Sequence, residues 1–213
     1  HAKSALLALS EVWVQAGAPE KFQVYLAEYQ AKYPDHGQLV QVAFDTAKTA
    51  FYDQRYASAI QQLKLFVTNY PKSESMGEAQ FLLAEAYYRQ GELANAQAQY
   101  QVALERANTP FYNKMLLRVG TLAHGQKDFD NALHYYQQLQ DRAKSSKERY
   151  HALEGMMKVS DALHRYEAVQ QYASLIIEQG NIAAHATREA TLFLGKAALK
   201  QKKRQEAQAH FMQ

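Results

Sequence analysis

The groups that could do acid–base or metal chemistry in this chain are eight histidines and 21 carboxylates. There is no cysteine, which removes disulfides, thiolate metal sites and cysteine nucleophiles together. No histidine stands three or four residues from another with a carboxylate beside it, as two ligands on one helical face would. His124 and His134 flank one turn but belong to different expected helices, so they read as surface histidines rather than a ligand pair. HExxH, GxGxxG, the P-loop and GxSxG are all missing, and the carboxylates are scattered singly. The residues therefore point to no catalytic centre, no metal site and no cofactor.

The charge balance is equally unspecialised. Against the acids stand 24 lysines and arginines, a net charge of +3, too even to require nucleic acid or a membrane surface as partner. The densest basic run, Lys196, Lys200, Lys202, Lys203 and Arg204, reads as a solvated helix end and turn. No apolar run reaches the roughly 18 residues of a membrane span, and no signal peptide is visible. The chain opens His1-Ala2-Lys3, which reads as a processed or excised piece.

The elements that must position any binding residues are helices. Four prolines and nine glycines are too few for a many-stranded fold, and hydrophobic residues at 47% suffice for a packed core. Ala79, Leu82, Leu83, Ala86 and Tyr87 follow the i, i+3, i+4, i+7, i+8 spacing of one helical face. The pattern also recurs. Phe22, Ala59, Ala96, Ala132, Val169 and Ala207 are spaced by 37, 37, 36, 37 and 38 residues. Just before these anchors stand the expected openers of a second helix, Pro19, Tyr56, Leu93, Phe129, Tyr166 and Arg204. Four residues after the anchors stand Leu26, Leu63, Tyr100, Tyr136, Ala173 and Phe211. Ala59, Ala96, Ala132 and Ala207 are expected to face Ala47, Ala84, Gly120 and Gly195, since helix pairs approach closely only where small residues meet. Short polar connectors such as Asp53-Gln54-Arg55 and Gln90-Gly91-Glu92 join the helices, and Pro34 and Pro71 close the second helix of the first two units.

A small residue in the first helix, an alanine early in the second, an aromatic four residues later and a closing proline resemble the tetratricopeptide repeat. The resemblance implies an all-α, right-handed α-solenoid of about six helix–turn–helix repeats. Their spans are approximately 3–39, 40–76, 77–112, 113–149, 150–187 and 188–213, the last incomplete, within a single domain over 1–213. The stretch from Asn69 to Tyr100, with its YP-x-S lead into A-x-F-x-L-A-x-x-YY, resembles repeats of bacterial envelope proteins. A periplasmic or outer-membrane-associated location is thus implied, with the cytoplasm as the alternative. Relatives that clamp the terminal carboxylate of heat-shock chaperones carry lysine and asparagine four apart in the first helix. Here the matching pairs are Leu7 and Glu11, Phe44 and Lys48, and Phe81 and Glu85, so that role is disfavoured.

In such a stack the first helices line a concave groove. Four positions per unit are expected to face it. They are Phe44, Lys48, Phe51 and Tyr52, then Phe81, Glu85, Tyr88 and Arg89, then Leu117, Thr121, His124 and Gly125. Aromatics beside an arginine are the composition of protein-binding hot spots. The expected function is a protein-interaction scaffold taking a protein or peptide in that groove. No nucleic acid and no membrane span are expected. One alternative is a structural module that self-assembles through exposed repeat ends. The other is a regulatory domain of a longer protein.

Overall fold

The computed structural model describes residues 16–32, 38–105, 109–180 and 184–212, with six further residues between Ala5 and Trp13. Among the described residues eleven helices are assigned bounds and no strand occurs. They are α1 (Pro19–Lys32), α2 (Gln38–Tyr52), α3 (Tyr56–Asn69), α4 (Met76–Arg89), α5 (Leu93–Leu104), α6 (Tyr112–Gly125), α7 (Phe129–Arg142), α8 (Ser146–Ala162), α9 (Tyr166–Gln179), α10 (Ala184–Lys200) and α11 (Arg204–Phe211). All six second helices start at the residues expected to open them. Pro71 follows α3 by two residues, while Pro34 lies outside the described residues.

Each turn from a first helix to a second is one motif repeated in register. The residue five before the anchor is left-handed: Gly17, Gln54, Gly91, Lys127, His164 and Lys202, with φ from 57 to 80°. At Gln54 the amide donates to Phe51 O, and the next amide, of Arg55, donates back to Ala50 O. The same two bonds recur around Gly91, Lys127, His164 and Lys202. This is the Schellman closure, which satisfies carbonyls orphaned at a helix end.

Contacts group the chain into two compact units, residues 1–111 and 112–213. In the first, α2–α3 and α4–α5 form antiparallel hairpins, α3 packs on α4, and α2 lies against α4. Its core holds Phe44, Leu63, Phe66, Leu82 and Tyr100, each at most 2% exposed. In the second, α6–α7, α8–α9 and α10–α11 are the hairpins, with α7 on α8 and α9 on α10. Its core runs from Ala123 through Tyr136, Met156 and Val169 to Ala197.

The anchor alanines are buried, as are Ala47, Ala84, Gly120 and Gly195, but the glycines make room for rings rather than for alanines. A Cβ on Gly120 would stand 2.9 Å from the Tyr136 ring, one on Gly155 2.5 Å from the same ring, and one on Gly195 2.4 Å from Phe211. Tyr136 is thus sandwiched between α6 and α8. The small residues exist to seat the aromatic four positions after the anchor.

Candidate functional site

The first-helix stripe of the first unit divides into an inner and an outer half. Phe44 is 2% exposed, its ring 5.2 Å from that of Phe66, so it belongs to the core and not to a binding surface. It shares the α2 flank of Ala43 and Ala47, which is pressed into the core, and burial there outweighs exposure of a ring. Lys48 lies over the Phe44 ring and pairs with Glu78 of α4 at 2.6 Å; that hydrogen bond holds its ammonium above the usual lysine range. Phe81 is likewise buried, stacked on Phe111 at 4.5 Å and 5°. Glu85 is buried and accepts the Tyr100 hydroxyl.

The outer half is accessible. Tyr52 is 63% exposed at the last residue of α2. Phe51, half-buried, meets Tyr52 and Tyr56 edge-on at 5.4 and 5.6 Å. Tyr88 is half-buried and Arg89 exposed at the end of α4.

In the second unit Leu117 packs half-buried against the core. The Thr121 hydroxyl donates to Leu117 O and lies 3.4 Å from the Tyr136 hydroxyl. His124 tilts against Phe129, and burial together with the Lys158 charge pushes its imidazole below the usual histidine range. Gly125 is exposed. His134 is exposed on α7 and bonds Gln138, away from His124. Among the described residues no three His, Asp or Glu side chains are grouped to hold a metal ion.

The structure adds a cluster that sequence reasoning missed. Lys158 of α8 reaches Glu154 at 2.6 Å and Glu189 of α10 at 3.0 Å. Glu154 also meets His151 Nδ1 at 3.4 Å. Burial alone would raise the Glu154 carboxyl, but hydrogen bonds from His151 and Lys158 overcome it and hold it at about 2. Burial first, then the Glu154 and Glu189 charges, push the Tyr150 phenol up to about 12. The signal was present: the offsets that mark Phe44 and Lys48 in their unit mark Glu154 and Lys158 in the fifth. Glu78 and Glu189 share one register as well, so Lys48–Glu78 and Lys158–Glu189 are the same cross-helix bond in two units.

A model of the tetratricopeptide repeat matches residues 44–113 and 82–148. No curated protein matches the chain. The chain is similar in fold to the MamA protein, at 15% identity over 83% of this chain and 90% of that one, with a TM-score of 0.68. It is similar to PilW, described as a widely conserved type IV pilus biogenesis factor, at 13% identity over 99% and 90%, with a TM-score of 0.59. It is also similar to pilF of Pseudomonas aeruginosa, at 15% identity over 98% and 88%, with a TM-score of 0.59. At these identities the likeness concerns the fold alone.

Proposed function

The chain belongs to the tetratricopeptide repeat family, and from that premise we propose that it is a protein-interaction module that takes a peptide segment across the open faces of its first helices. The observation that carries this is Tyr52, a large ring left 63% exposed beside Phe51, which itself meets Tyr56. Rings held rigid at low entropic cost, with an arginine nearby, are what an interface hot spot needs. The surface comprises Phe51, Tyr52, Tyr88 and Arg89 of the first unit, and Leu117, Thr121 and His124 form a separate candidate surface on the second. Phe44, Phe81 and Glu85 support the first from within.

The module acts in the bacterial envelope on this reading. The envelope-like stretch from Asn69 to Tyr100 supports that setting, as does the likeness to a pilus biogenesis factor. No described helix is long and apolar enough to cross a membrane. Fractionation of cells making this protein checks the location; recovery in the cytosol would count against it.

The test of binding is selection from a displayed library of random peptides, with wild type beside Tyr52→Ala/Tyr88→Ala/Arg89→Ala. A selected peptide should bind the wild type and lose about tenfold or more in affinity for the equally helical variant. Failure to select any peptide would favour a structural, self-assembling module instead.

A further inference from the structure

The second unit closes its two steps from hairpin to hairpin by different means. Between α6 and α8 the space is filled by a ring from the second helix. Tyr136, four residues after its anchor, lies against Gly120 and Gly155, and its hydroxyl stands 3.4 Å from that of Thr121. This joint is apolar and uncharged. Between α8 and α10 the sizes are inverted. Ala173 stands in the place of Tyr136, and Met157 and Phe193 stand in the places of Gly120 and Gly155. The bulk comes from the first helices themselves. Among the described residues the backbones of α8 and α10 approach less closely than those of α6 and α8.

The link between these two first helices is electrostatic. Lys158 bonds Glu189 of α10 at 3.0 Å and Glu154 of its own helix at 2.6 Å. All three side chains are half-buried, so dissolved ions reach the bond. Tyr150 and His185 add one edge contact at 6.4 Å. At the α6–α8 step the places of Lys158 and Glu189 hold Thr121 and His151, so no Lys–Glu pair can form there. The second helix holds the α8–α10 step more firmly. There α9 packs on α10, Gln201 donates to Glu167 at 2.7 Å, and Gln170 donates to Glu206 at 3.2 Å. The step is thus anchored through α9 and tied directly between first helices by one ion pair, so it can open on the first-helix side alone.

We propose that the Lys158–Glu189 bond is a salt-sensitive latch on the α8–α10 step. It is closed at low ionic strength and opens as ions screen it, while the α6–α8 step stays closed. Screening weakens a partly exposed ion pair but leaves the burial of the Tyr136 ring intact. A pair of this kind shifts a two-state equilibrium by about fivefold. That suffices where little else joins two helices, and it is too little to unfold hairpins whose core is apolar. Opening widens the first-helix face between α8 and α10 and leaves it unchanged between α6 and α8. The latch is independent of whether that face takes a peptide.

The chain has no cysteine, so paired spin labels report each step directly. Gly125, Ala162 and Lys200 are exposed at one register of α6, α8 and α10. Gly125→Cys/Ala162→Cys and Ala162→Cys/Lys200→Cys therefore measure the two steps by pulsed dipolar spectroscopy on the whole chain. Raising sodium chloride from about 0.01 to about 1 M shortens the screening length from about 30 to about 3 Å. The α8–α10 distance is expected to lengthen by about 1–2 Å, or to gain a longer population, while the α6–α8 distance holds. Lys158→Met and Glu189→Gln should each show the high-salt distance at both salt levels, and Lys158→Arg should behave as the wild type. Circular dichroism checks that helicity is unchanged; Glu189→Gln, which keeps size and polarity, decides the matter if Lys158→Met loses helix. An α8–α10 distance that ignores salt, a salt response that persists in Glu189→Gln, or an equal shift at α6–α8 overturns the inference.

Discussion

At the scale of single residues, two sites show how little room this fold leaves. Gly155 has the Tyr136 ring where its Cβ would go. Gly155→Ala must displace a ring held on both faces, and should destabilise the second unit by about 1–3 kcal/mol, read as a lowered urea midpoint. The Lys158 cluster makes a prediction about pH. Glu154 titrates at about 2 in the folded chain against an ordinary 4.5, so it contributes stability above pH 4.5 that is lost as pH falls toward 2. Glu154→Gln should flatten the acid limb of a melting-temperature profile in that window. His124 is lowered as well: below its ordinary 6.5 the unfolded chain takes up the proton more readily, so acidification through that range also costs the folded state stability. His124→Gln should remove the part of the decline that begins near pH 6.5.

At the scale of elements, the hairpin turns are built alike from unlike residues. Six turns require a left-handed residue at one register, yet Gln54, Lys127, His164 and Lys202 fill four of them. A Cβ in that conformation is strained, whereas glycine is not. Lys127→Gly should therefore raise stability by about 0.5–1 kcal/mol, the relieved strain exceeding the entropy that glycine adds to the unfolded chain. The residue that caps the second helix shows similar slack. Asp128 accepts from the Asn131 amide, while Arg165 and Lys203, in the same place, make no side-chain cap. Arg165→Asp should add about 1 kcal/mol by supplying that acceptor. Thermal melts followed by circular dichroism check both substitutions.

At the scale of the whole molecule, the second unit has its own core. The cluster from Ala123 to Ala197 is drawn from residues 112–213 alone. Helical repeats contact mainly their neighbours, so such a unit holds its stability locally. The fragment 112–213 is expected to be helical by itself and to unfold cooperatively in urea. A fragment without a cooperative transition would show that its core needs residues 1–111.

The sequence by itself determined the helices, their hairpin pairing and the period, because a 3.6-residue apolar spacing and a recurring small residue admit no other arrangement of so glycine-poor a chain. It also located all six second-helix starts. It could not say which of the stripe residues face water. Phe44 and Tyr52 occupy one stripe by spacing, yet one is 2% and the other 63% exposed. That difference depends on how closely neighbouring helices approach along their length, which no single helix encodes. The bond from Lys158 to Glu189, 31 residues on, is likewise invisible until two first helices lie side by side. Periodicity is local and can be read from one chain segment. Burial and ion pairing between helices belong to the packed units, and only the tertiary structure decided them.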